Sequence, residues 1–268
     1  VTNLTPTDYR NIAHHTMNLY QVEMNGLPQR SKLVKQLLVP NKNSGQNQTR
    51  IFVKNENLLT RLKKIPVGTK IGILSFASPI IIGGNFKAGI NAQEQTICRN
   101  SYLYPELLQF RREYYYYNQQ HENQGFYSRR MIVSQQVKFL RDETEVNYLR
   151  PARMIDVVSM AAPDISLMKK KHYSISQREL RADLKWRITQ ILRQFVALGD
   201  QDLILGAFGC GSFENDSRMV AKIFQQQLTT TEFATAFKNI YFSITDLKQT
   251  AVFTAILSEH PRPLVDQK

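Results

Sequence analysis

Cysteine is nearly absent. Only Cys98 and Cys210 occur among 268 residues, and two isolated thiols without repeated spacing exclude a disulfide framework and a thiolate metal centre. Such usage fits a reducing compartment. The five histidines, including the adjacent His14 and His15, show no ligand spacing, so neither a metal nor a cofactor is expected. No apolar run reaches the ~18 residues that a membrane helix needs, and the opening VTNLTPTDYR has neither the basic start nor the apolar segment of a secretory leader. The expectation is a monomer without membrane contact, either cytoplasmic or exported by a non-classical route as an effector. Acidic residues are outnumbered, 22 Asp and Glu against 35 Lys and Arg, and the resulting charge of +13 favours phosphate-bearing or polyanionic partners.

What the sequence does contain is enough apolar material, 42% of residues, for one large core. The reading is a single domain over 1–268, with 1–50 as a helical extension packed on it. Short β-branched runs alternate with helical periodicity, which argues for an α/β fold with a mixed sheet. Strands are expected over Arg50–Lys54, Lys70–Ala77, Arg130–Leu140, Met154–Ala161, Asp202–Phe208 and Asn239–Thr245. The strongest helix signal is SQRELRADLKWRITQILRQFVALG, with a Ser176/Glu179 capping box, leucine, isoleucine and phenylalanine at helical spacing, and Gly199 as the stop. Further helices are expected over Thr7–Tyr20, from Ala92 to Tyr104 with a break or restart at Pro105, and over Ser217–Leu228. Residues 40–49 and 117–125 read as polar loops. The run Tyr114–Tyr117 could stack bases, but consecutive helical positions point around the cylinder, so packing is the better reading. The basic clusters at 61–64, Arg129/Arg130 and Lys169–Lys171 read as solvated faces, with nucleic-acid contact as the alternative.

Two segments carry chemistry. In GILSFASPIIIGGNFKAGINAQEQ, a strand empties into a loop with Gly83, Gly84 and Gly89, and a helix begins beyond it with Glu94 and Gln95 in its first turn. Glycine permits left-handed backbone and close approach of a ligand, and free amides at a helix start attract anions. In LILGAFGCGSFENDS the pattern repeats: a buried strand, then Gly209, Cys210, Gly211, Ser212 and Phe213, then Asn215 or Asp216 as the cap of the next helix. Ligands gather at the C-terminal ends of strands in such sheets, and two junctions of this kind suit a diphosphate-bridged nucleotide, with Phe213 either stacked on a base or closing the core.

Together the segments resemble the microbial-type poly(ADP-ribose) glycohydrolases. The likeness runs through Ser75-Phe76-Ala77, then Gly83-Gly84-Asn85, a seven-residue gap, and Gln93-Glu94-Gln95, and continues in IAHHT, ICRNS, SQQVKFLRD, DVVSMAAPD and GAFGCGSFENDS, over residues 8 to 246. The resemblance implies a macrodomain-like mixed sheet flanked by helices on both faces. It implies ADP-ribose, or an ADP-ribosylated protein or polymer, as the partner. Ser75, Ala77, Gly83, Gly84, Asn85, Gln93, Gly209, Cys210, Gly211, Ser212 and Phe213 become the expected ligand contacts.

The departures from that family pattern are equally specific. Its triplet is Gln-Glu-Glu, and the second glutamate is the acid that protonates the leaving ribose oxygen and then activates water. Here that position is Gln95, an amide, which cannot change protonation state. Ser75 stands for an asparagine, Asn85 for a third glycine, and Ile81 and Ile82 for polar and proline residues. Asparagine tolerates left-handed backbone, so the loop shape can survive. Three readings follow: a glycohydrolase using another acid, Glu94, Asp216 or Asp164; an ADP-ribose reader without hydrolysis; and a basic nucleic-acid-binding protein on the same fold.

Overall fold

The computed structural model describes residues 4–24, 30–40, 47–142 and 148–258. Seven strands form one sheet: β1 (Ser31–Val34), β2 (Arg50–Asn55), β3 (Ile71–Phe76), β4 (Met131–Arg141), β5 (Tyr148–Met160), β6 (Asp202–Leu205) and β7 (Asn239–Ile244). Around it lie α1 (Pro6–Glu23), α2 (Leu58–Lys64), α3 (Gln93–Asn100), α4 (Leu103–Leu108), α5 (Tyr117–Gln120), α6 (Ile165–Lys170), α7 (Gln177–Leu198), α8 (Ser217–Leu228) and α9 (Leu247–Leu257). The sheet order is β1-β4-β5-β3-β6-β7-β2. From β5 to β2 neighbouring strands are parallel, while β4 runs antiparallel to β5 and β1 antiparallel to β4.

The alternation of side chains along each strand builds two cores. Ile73, Val157 and Ile204 face one side and pack with Ala13 of α1, Leu59 of α2 and Ile97 of α3. Leu74, Val158 and Leu203 face the other and pack with Leu184 of α7, Phe224 of α8 and Phe253 of α9. A mixed sheet covered by helices on both faces is the architecture expected, and all six anticipated strands are present. The near-continuous apolar reading of β3 and β6 follows from burial on both faces.

Helix α7 starts with half of the expected capping box: the Ser176 hydroxyl accepts from Glu179 N–H at 3.3 Å, while the Glu179 carboxylate does not return a bond to the Ser176 N–H, and Gly199 ends the helix in left-handed backbone at φ 75°. Within α7, Arg187 is fully buried, pairs with Asp183, and donates to the carbonyls of Phe126, Ser128 and Ala161. It thereby ties the loop leaving β5 to the helical layer.

Several local expectations are corrected. The N-terminal segment is helical through Glu23, but Ser31–Val34 joins the sheet by pairing with β4. The helix expected over 92–104 is two helices, because Asn100 and Ser101 turn their side chains back on the Thr96 and Ile97 carbonyls and end α3. Pro105 then sits in the first turn of α4, where its missing N–H costs nothing. The loop expected over 117–125 is largely helical, continuing from a π-helical turn over Arg111–Tyr116. Of the loop expected over 40–49, residues 41–46 lie outside the described residues.

Candidate functional site

The C-terminal ends of β2, β3, β6 and β7 open into one cleft of about 760 Å³. Both glycine junctions line it: Ala77, Gly84, Gln93, Glu94 and Gln95 from the first, and Gly209, Gly211, Ser212 and Phe213 from the second. The two segments, far apart in sequence, are neighbours because β3 and β6 pair directly and end on the same side.

The first junction is a left-handed turn of three residues. Gly83, Gly84 and Asn85 have φ of 61°, 57° and 61°. Asparagine therefore does keep the loop in left-handed backbone. Gly84 permits nothing larger, since a Cβ there would fall 2.3 Å from Gln95 Nε2 and 2.8 Å from Glu94 Oε2. Beyond the loop, α3 starts at Gln93 with no side-chain cap from Ala92, so the amides of its first turn remain free on the cleft side.

The three residues of the triplet do three different things. Gln93 acts as a clip on β3: its Oε1 accepts from Phe76 N–H at 2.9 Å and its Nε2 donates to the Leu74 carbonyl at 2.6 Å. Gln95 Nε2 donates to the Gly84 carbonyl at 2.7 Å, locking the left-handed turn to the helix. Glu94 is buried, and its Oε2 accepts from Ser78 N–H at 2.9 Å. Its Oε1 is enclosed with no partner among the described residues. Burial pushes this carboxyl up to about 8, against a smaller lowering by the Ser78 hydrogen bond. Glu94 thus holds a proton at neutral pH.

At the second junction, Gly209 takes φ 71°, and a Cβ would collide with the Ala162 methyl at 2.4 Å. Asn215 does not cap α8; its Nδ2 bridges the Pro163 and Gly209 carbonyls at 2.8 and 2.9 Å and so fixes the loop. The successive N–H groups of Gly211, Ser212 and Phe213 have no acceptor among the described residues. Such a run of free amides is suited to an oxyanion.

Other expected contacts lie elsewhere. Ser75 is buried within β3 and does not line the cleft; Gly83 is buried behind the turn, and Asn85 is exposed on its outer side. Cys210 is buried, its carbonyl taking the Gln249 amide at 2.9 Å. Asp216 is a further correction: it is exposed, outside the cleft lining, and its carboxylate caps α8 by accepting from Arg218 and Met219 N–H. Asp164 is likewise occupied as the cap of α6. Neither is placed to substitute for an acid at position 95. The basic clusters are locally paired, Lys169 with Glu214, Lys171 with Glu122, Arg129 with Asp183, and Arg61 and Lys64 with Glu56. They do not form the free cationic stripe that a nucleic-acid footprint needs.

Sequence reasoning missed one wall. Asn57, Thr245, Asp246 and Gln249 line the cleft at the ends of β2 and β7. Asn57 and Asp246 are also the caps of α2 and α9. A strand followed by a capping Asn or Asp was the available signal, the same one that marked Asp216, but without a glycine loop it was not singled out. Leu4 and Tyr9, at the start of α1, close the opposite rim.

Residues 3–142, just over half the chain, match the family described as microbial-type PARG, catalytic domain. Among solved structures, the poly(ADP-ribose) glycohydrolase of Thermomonospora curvata superposes with a TM-score of 0.80 at 24% identity, covering 93% of this chain and 99% of that one. The poly(ADP-ribose) glycohydrolase of Deinococcus radiodurans in complex with ADP-ribose gives a TM-score of 0.72 at 23% identity, covering 95% of this chain and 92% of the other. No curated protein sequence matches.

Proposed function

The chain belongs to the microbial-type PARG catalytic-domain family, and from that premise we propose that its cleft binds an ADP-ribosyl group and that hydrolysis there proceeds through Glu94 at a much reduced rate. The observation that carries this reading is the meeting of both glycine junctions and Glu94 on one cleft, whose ~760 Å³ is in the range of small-molecule sites. The free amides of Gly211–Phe213 take the diphosphate, the Phe213 ring lies against the adenine, and the distal ribose reaches the start of α3. The whole chain acts as one domain, since the cleft draws residues from α1 through α9.

Glycosidic cleavage needs a group that gives a proton to the leaving oxygen and then takes one from the attacking water. Gln95 can do neither. Among the described residues lining the cleft, the remaining carboxyls are Glu94 and Asp246, and Asp246 is held as the cap of α9. Glu94 has the proton at neutral pH, but its Oε1 is enclosed and its Oε2 is taken by the Ser78 N–H, which slows transfer. The second reading, a reader that binds without turning over, is favoured by that enclosure together with the Gln95–Gly84 hydrogen bond.

Calorimetric titration with ADP-ribose, paired with release of label from an ADP-ribosylated protein, tests both. The expected result is saturable binding, and slow release that is lost in Glu94→Gln. Binding with no release at any enzyme concentration establishes the reader, and absence of ADP-ribose binding overturns the whole assignment.

A further inference from the structure

The structure holds a second cavity, of about 370 Å³, that shares no lining residue with the cleft. Asn11, Ile12 and His15 of α1 form one wall; Arg141, at the end of β4, and Tyr148, at the start of β5, form the other. Asn11 and His15 stand one helical turn apart and so share a face of α1. The two walls meet through Tyr148. Its hydroxyl lies 3.4 Å from His15 Nδ1, the two rings meet edge to face, and the tyrosine ring lies over the Arg141 guanidinium, 5.2 Å from Cζ.

Arg141 is the unusual member. It is 1% exposed, and no carboxylate among the described residues forms an ion pair with it; Asp142, next in sequence, pairs with Lys63 instead. Its Nη1 donates to the Thr16 hydroxyl at 2.7 Å and to the Arg99 carbonyl of α3 at 3.2 Å, whereas Nη2 is enclosed with no acceptor among the described residues. A buried guanidinium N–H without an acceptor costs free energy, and a native group left in that state points to an ion or water that completes it. Tyr148 is 43% exposed, so its ring can turn aside and admit an oxygen to Nη2 without disturbing the core. No acid lines the cavity among the described residues, and the arginine fork suits phosphate oxygens. The volume, at the lower end of the range for small-molecule sites, leaves room for more than the anion itself. We propose that this cavity is a second ligand site, which takes a phosphate group on Arg141 Nη2 and the His15 ring, with any small organic substituent against Tyr148. It stands independently of what the cleft binds.

NMR of the intact protein reads this site separately from the cleft, because the His15 ring signals are identified by their loss in His15→Gln. The probes are inorganic phosphate, AMP and adenosine, at constant pH and ionic strength. Phosphate and AMP are expected to shift the His15 ring and the Arg141 guanidinium signals along one saturable isotherm, while adenosine and added chloride leave both in place. Tighter binding of AMP makes the ligand a phosphate ester, and tighter binding of inorganic phosphate makes it the free ion. Arg141→Gln should weaken the His15 response roughly 10-fold or more, the worth of one hydrogen bond to a charged group. Should that buried residue prove necessary for folding, the common isotherm in the unaltered protein decides alone. A His15 signal that moves without those of Arg141, shifts that do not saturate, or an equal response to adenosine or chloride overturns the site.

Discussion

Gln95→Glu is expected to raise the rate of ADP-ribosyl hydrolysis by roughly two to four orders of magnitude, the usual worth of a positioned general acid. The geometry explains why the substitution should act on chemistry and not on binding. Gln95 Nε2 donates to the Gly84 carbonyl at 2.7 Å. A glutamate in the same rotamer can keep that contact only when protonated, because an ionised carboxylate would set two acceptors against each other. The carbonyl therefore selects the acid form, and the low-dielectric neighbourhood that pushes Glu94 up acts in the same direction. A protonated carboxyl on the cleft wall is the missing proton donor. The variant should show kcat rising with little change in KM, an affinity for ADP-ribose within a few-fold of the parent, and a rate that falls as pH rises through the new carboxyl's titration. Single-turnover hydrolysis of an ADP-ribosylated protein measures it. A parent protein already as fast as the variant would place the proton donor elsewhere.

The second large effect is on stability. Glu94→Gln should make the protein more stable at pH 8.5 than its parent, by roughly 4–5 kcal/mol at most, and leave it nearly unchanged at pH 4.5. The sign follows from proton uptake. Folding raises this carboxyl from 4.5 to about 8, so between those values the folded protein holds a proton that the unfolded chain has released. Stability contributed by this site is thus lost as pH rises from about 4.5 to 8 and levels off above. Glutamine carries no such penalty and can still accept the Ser78 N–H through its carbonyl oxygen. Asp200, also pushed up to about 8 by burial and by the neighbouring Asp156 charge, adds the same slope in both proteins, so the difference between them isolates Glu94. Urea unfolding across this pH range is the check. Parallel pH dependence of the two proteins would mean that Glu94 is ionised in the fold.

Much of this site was legible because glycine and proline positions are chosen by backbone geometry. Gly84 and Gly209 marked the two turns, and the alternation of strand and helix placed both turns at strand ends. The central strands β3 and β6 were readable because burial on both faces gives unbroken apolar runs. Polar side chains were harder. Asp216 and Asn215 are adjacent and chemically similar, yet one caps α8 at the surface while the other braces the Gly209 loop from inside, a division set by loop curvature. Ser75 read as a ligand contact because it stands where the resembled family has an asparagine, but it is buried within β3 and away from the cleft lining. The wall at Asn57 and Asp246 depended on β2 pairing with β7, a contact between strands 189 residues apart in sequence, which no local pattern carries.

The central claim is spatial: one diphosphate is held between the two glycine junctions. A crystal structure of the protein with ADP-ribose bound tests it most directly. The account predicts diphosphate oxygens within hydrogen-bond distance of the Gly211, Ser212 and Phe213 amides, with the distal ribose against the first turn of α3 beside Glu94 and Gln95. A ligand that touches only one junction, or occupies another face of the molecule, would contradict it.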